Sequence, residues 1–187
     1  MIRRVGQIAA VSVVGALLAL LIWQVAHGNG SQVASEVDNG NVVQAPLWTR
    51  NRVDTTGTMS LASLRGKVVV LNFWQSYCPP CTQEAPVIQA GWERWKGSGK
   101  VVFVGVDVQD LHGPAMKFIN RFHITYPIVA DSGSLVGHYG VTGYPETFFV
   151  DAKGYIVPLV PGGHIIGEAT AKMLDDGIKQ ALKNPSA

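Results

Sequence analysis

Only two cysteines occur among the 187 residues, too few for a disulfide-stapled scaffold, and a chain of this length needs no staple to hold a core. Charge is also scarce. A formal net charge of +2 offers no basic surface of the kind a nucleic acid requires, so no nucleic-acid partner is expected. Between Arg4 and Arg50 there is no lysine or arginine. No internal repeat is visible. Nor is there a second Cys or His pair at zinc-site spacing, because His112, His123, His138 and His164 stand singly. Neither a structural metal nor a cofactor is expected.

What the N-terminus does have is a long apolar run. Arg3 and Arg4 precede residues 5–26, which are interrupted only by Gln7, Ser12 and Gln24. About twenty such residues suffice for a helix to cross a bilayer. The expectation is a membrane anchor over residues 1–26. A cleaved signal peptide is the competing reading, with Ala26-His27-Gly28 a weak cleavage site, although its apolar region is normally only about 7–15 residues. With both arginines before the run, the positive-inside rule puts everything from His27 onward on the extracytoplasmic side. Residues 27–44 are rich in Gly, Asn and Ser and read as a linker, with a short edge strand near Val42 and Val43 as the rival reading. The folded domain is then 45–187.

Strand and helix patterns alternate through that domain. Residues 68–74 and 101–106 are β-branched, apolar runs of buried-strand type. Ala85, Ile88, Trp92 and Trp95 recur at helical spacing, and Pro86 should kink or restart that helix. A second helix is expected over 114–122 and a brief one over 135–139. A hairpin is expected around Ala152-Lys153-Gly154, and a closing helix over 167–183. The order β-α-β-α-β-β-α predicts an α/β fold, a mixed sheet with helices on its faces.

Cys78-Pro79-Pro80-Cys81 falls where the first strand hands over to the first helix. Two cysteines three apart can bind a metal or close a redox disulfide, and the missing second ligand pair favours redox. Backbone N–H groups and the helix dipole at this junction favour a thiolate. Lowering a thiol pKa from about 8.5 to about 7 takes roughly 2 kcal/mol.

Several stretches together resemble the thioredoxin superfamily. They are Ala45-Pro46, Arg65-Gly66-Lys67 leading into the strand that ends at Trp74, the cysteine motif with Glu84 and Pro86, and Tyr139-Gly140-Val141 through Gly143-Tyr144-Pro145-Glu146-Thr147-Phe148. The finer pattern is similar to its membrane-anchored, extracytoplasmic branch, the TlpA/DsbE-like oxidoreductases of cytochrome c biogenesis. The resemblance implies a thioredoxin-like fold and catalysis by Cys78 and Cys81. It implies a cis peptide bond at Pro145, exposing the backbone of Tyr144 to an extended substrate. It also implies tuning of the thiols by Glu84 and Glu146. Against this, Glu84 also reads as an exposed first-turn residue. Asn72 departs from thioredoxin, which has a buried aspartate there, and Tyr77 stands where a tryptophan is common. Plain packing is the bland reading of Trp74 and Tyr77.

The expected activity is reduction of a disulfide-containing protein, with apocytochrome c as a candidate client and a membrane donor restoring the dithiol. Two alternatives use the same cysteines: metal or haem delivery, and peroxide reduction. The second wants a dedicated threonine and arginine before the cysteine, and no such set precedes Cys78.

Overall fold

The computed structural model describes residues 13–23, 32–159 and 162–183. Residues 13–23 are helical, and Val13, Val14, Leu17, Leu18, Leu20, Leu21, Ile22 and Trp23 are all exposed. The rest of the expected anchor, and its rival cleavage site, lie outside the described residues. Among the described residues no helix is long and apolar enough to cross a membrane.

β4 (Val68–Trp74) is the centre of the domain, buried at every position. Its β-branched and aromatic side chains alternate between the two faces of the sheet. Val68, Val70 and Trp74 enter one apolar cluster, and Val69, Leu71 and Phe73 the other. On one side β4 pairs in parallel with β5 (Val101–Val108), which pairs in parallel with β6 (Ile128–Asp131). On the other it pairs antiparallel with β7 (Glu146–Val150), which turns back into β8 (Tyr155–Ile156). β1 (Val43–Gln44) closes that edge and β9 (Ile165–Ile166) also pairs with β7, giving a seven-stranded mixed sheet. β2 (Thr49–Asn51) and β3 (Thr58–Ser60) form a separate small hairpin.

The first cluster lies under three helices: α2 (Pro79–Trp95), α3 (His112–Arg121) and α5 (Ala171–Lys183). α1 (Gln32–Asp38) and α4 (Ser134–Tyr139) cover the second. The pattern of elements predicted this mixed α/β sheet with helices on its faces, and its arrangement is the thioredoxin-like fold that the resemblance implied.

Three expectations change. Part of the stretch expected to be a linker is folded: Ala34 and Val37 of α1 are buried, and Val43 pairs with Ile156. Their apolar side chains are too sparse for a visible period but sit on the second cluster. α2 runs through Pro86 without restarting. The closing helix starts at Ala171 instead of residue 167, because the preceding residues hydrogen-bond to other parts of the site.

Candidate active site

Cys78 is the N-cap of α2, with extended backbone (φ −85°, ψ 113°). Pro79 and Pro80 take the first helical positions, where a missing N–H costs nothing and φ is already helical. The first free amide of the helix is therefore that of Cys81, and it points at Cys78 Sγ from 3.2 Å. The two cysteines form a disulfide with Cα atoms 5.2 Å apart. Cys78 is 8% exposed and Cys81 2%, so the first cysteine is the more accessible of the two.

The Tyr144–Pro145 peptide bond is cis, and the Tyr144 carbonyl oxygen lies 3.5 Å from Cys78 Sγ. Tyr144 and Pro145 are thus placed beside the reactive sulfur, as expected. Tyr77 is 66% exposed, which removes the packing reading for it. Trp74 is buried and stacks on Phe118 at 4.4 Å between ring centres, which is packing.

Glu84 is buried, so the exposed reading fails. It lies on α2 three residues beyond Cys81, a spacing that puts both on one face. Asn72 donates its amide to Glu84 Oε2 (2.9 Å) and to Thr147 Oγ1 (2.9 Å), while the Ala169 N–H donates to Glu84 Oε1 (2.8 Å). Burial lifts the Glu84 carboxyl to about 7, against these two hydrogen bonds. A carboxyl that titrates near neutrality is therefore buried on the helix that carries Cys81, with Asn72 holding it in place.

Glu146 is also buried but faces the other way. Strand alternation groups it with Phe148 and Val150 on the second cluster, whereas Thr147 and Phe149 face the cysteine side. Its Oε1 accepts from Thr142 N (2.9 Å), Thr142 Oγ1 (2.9 Å) and Gly143 N (3.0 Å), and its Oε2 meets His164 Nε2 at 3.0 Å. Burial alone would raise this carboxyl, but His164 and Thr142 outweigh it and hold it below the usual range. The structure does not bring Glu84 and Glu146 together. One lies on the cysteine-bearing helix, and the other secures the loop before Pro145.

Sequence reasoning missed three features. Residues 167–169 touch both halves of the site, since Gly167 N donates to the Pro145 carbonyl (2.9 Å) and Ala169 N to Glu84. Backbone donors leave no mark in a sequence. Asp107 is buried beside Asp110, and burial first, then Asp110's hydrogen bond and charge, push its carboxyl to about 8. Asp110 accepts the Ser76 N–H at 2.6 Å and so fixes the turn leading into Cys78. His164 was read only as a lone histidine.

A cysteine pair at a strand–helix junction, a cis-proline peptide whose Tyr144 carbonyl faces the first sulfur and a buried acid one turn along the same helix describe a disulfide-exchange centre. Residues 43–158 match the AhpC/TSA family. The chain belongs to the AhpC/TSA family. Within this thioredoxin-like family it is similar to the thiol-disulfide oxidoreductase ResA of Bacillus thuringiensis, with 32% identity across 65% of this chain and 68% of that one. It is 41% identical to the thiol:disulfide interchange protein DsbE of Pseudomonas fluorescens, over 59% of this chain and 61% of the other. A solved thiol:disulfide interchange protein of Chlorobium tepidum superposes with a TM-score of 0.65 at 28% identity, covering 75% of this chain and 97% of that one. The protein is a thiol-disulfide oxidoreductase of the ResA and DsbE type.

Proposed function

We propose that this AhpC/TSA-family protein is a membrane-tethered, extracytoplasmic reductant of partner-protein disulfides, with apocytochrome c as the client class its resemblance suggests. The observation that carries the direction is how little holds a thiolate at Cys78. Pro79 and Pro80 remove two of the helix's free N–H groups, leaving the Cys81 amide as the backbone donor. The nearby Tyr144 carbonyl oxygen is an acceptor and favours the protonated thiol. Strong oxidants of this fold owe their potential to a stabilised reduced form. Withholding donors from the thiolate works the other way.

In the reaction, the Cys78 thiolate attacks one sulfur of the client disulfide, and the other leaves as a thiolate that is protonated. Glu84 takes the Cys81 proton; Cys81 then attacks Cys78 Sγ and expels the second client thiolate. The client gains two electrons and the Cys78–Cys81 disulfide forms, to be reduced by a membrane donor. Tyr144 and Pro145 offer the backbone edge on which an extended client segment pairs. Equilibration against glutathione should give a Cys78–Cys81 potential more negative than about −200 mV. A value near about −120 mV would overturn the reductant assignment.

Supporting the tether are the apolar run of residues 5–26, the exposed apolar side chains of residues 13–23 and the arginines before them. A membrane-impermeant maleimide should label reduced Cys78 in intact cells. Labelling only after lysis would put the domain on the cytoplasmic side. Metal or haem delivery gains nothing from the site, since both nitrogens of His164 are engaged by carboxylates.

A further inference from the structure

His164 joins three parts of the chain. Its ring lies parallel to Phe148, 4.2 Å between centres and 7° between planes, which fixes the direction of both nitrogens. Nε2 meets Glu146 Oε2 at 3.0 Å and Nδ1 meets Asp38 Oδ1 at 2.8 Å. Burial alone would lower the His164 pKa, but the hydrogen bonds to Glu146 and Asp38 raise it, so this setting favours the doubly protonated ring with an N–H toward each carboxylate. The side chain is 2% exposed, that of Glu146 1% and that of Asp38 44%. Gly163, at φ 53°, makes room for this, because a Cβ there would overlap Asp38.

Glu146 passes the connection on. One of its oxygens takes three donors from Thr142 and Gly143, at the base of the loop that carries Tyr144 and Pro145. The other oxygen is met by His164. Without His164 the buried carboxylate would lose its counter-charge and a donor, and would take up a proton or loosen its hold on the loop.

We propose that His164 is a positioning residue for client binding: clamped between Asp38 of α1 and Glu146, it holds the Thr142-to-Pro145 loop at the height at which a client backbone pairs beside Cys78. Asp38 ends the helix that follows the N-terminal segment, so the same clamp ties the tethered end of the chain to the client edge. This rests on the reading of Tyr144 and Pro145 as that edge.

The test compares two substrates on the full chain: an extended peptide carrying one disulfide, and hydroxyethyl disulfide, which has no backbone to pair. For His164→Ala the peptide KM should rise about tenfold, the cost of losing one buried charged hydrogen bond, with kcat retained. Turnover of hydroxyethyl disulfide should change far less than the peptide KM. Asp38→Asn, at the half-exposed end of the clamp, should move the peptide KM in the same direction by less. That variant decides the matter alone if His164→Ala does not fold. An unchanged peptide KM in the folded variants, or a parallel loss on both substrates, overturns the clamp. If instead wild type itself shows no preference for the peptide, the client-edge reading falls and the clamp's role with it.

Discussion

Replacing Cys81 with alanine should leave the protein covalently attached to its client through Cys78. Exchange begins at the sulfur that can be reached, and Cys78 is the more exposed of the two at the mouth of the site. Its Sγ has the Cys81 amide and the Tyr144 carbonyl close by, and the neighbouring Tyr77 stands exposed. Once the mixed disulfide forms, Cys81 is the sole thiol of the chain able to resolve it. Cys81→Ala removes that thiol and leaves the N–H that faces Cys78, so the first half-reaction survives and the second does not. Turnover of a protein disulfide should fall by at least about a thousandfold, as when a nucleophile acting within a unit is lost. A dithiothreitol-sensitive adduct should accumulate on non-reducing gels. Cys78→Ala should lose the same turnover and give no adduct. Adducts formed through Cys81 in Cys78→Ala, with none in Cys81→Ala, would reverse the roles of the two sulfurs.

The parts of this site that were legible in the sequence are those that local chemistry specifies. Residues 68–74 form a strand because six of seven consecutive positions are apolar, broken only by Asn72, and can be buried on both faces, and the strand observed has those limits. Cys78 caps α2 because two prolines after it suit a helix start and nothing later in the chain alters that. Glu84 was harder. Three residues past a cysteine it reads as an exposed first-turn acid, and what buries it is Asn72 from β4 and the amide of Ala169, 85 positions on. No window of sequence contains all three. Glu146 is a different case. The period of two in β7 already separates it from Thr147 and Phe149, so its turning away from the cysteine side could have been read from the strand pattern alone. Its link to His164 could not, since the two lie 18 positions apart, and His164's other partner, Asp38, lies 126 positions from it.

Glu84→Gln should flatten the pH dependence of stability and slow resolution of the mixed disulfide. The Glu84 carboxyl titrates at about 7 in the folded protein against an ordinary value of 4.5. Between these values the folded state holds a proton that the unfolded chain has released. Stability contributed by this group therefore falls as pH rises from about 4.5 to about 7 and stays lowered above that range. The shift corresponds to a penalty on the order of 3 kcal/mol at pH 8. Glutamine carries no charge and escapes it. It also has only one carbonyl oxygen for the two donors Ala169 N and Asn72 Nδ2, which costs about 1–3 kcal/mol at every pH. The variant should accordingly be less stable than wild type at pH 4 and close to it at pH 8, with the difference closing between about 4.5 and 7. Denaturant melts at both pH values read this directly. A constant offset at the two pH values would mean that the Glu84 carboxyl has the same pKa in the folded and unfolded chain. The kinetic consequence follows from the same carboxyl. With a pKa near neutrality it is suited to take the Cys81 proton, and general-base assistance of this kind is worth roughly 10²–10⁴-fold. In Glu84→Gln the decay of a pre-formed Cys78–client disulfide should slow by about 10² at pH 7 and regain speed toward pH 9, where hydroxide can remove the proton instead. Attack by Cys78 on a small disulfide should change far less, because the acid lies one turn along α2 from Cys81. Equal slowing of both steps would move Glu84 from proton acceptor to a general support of α2.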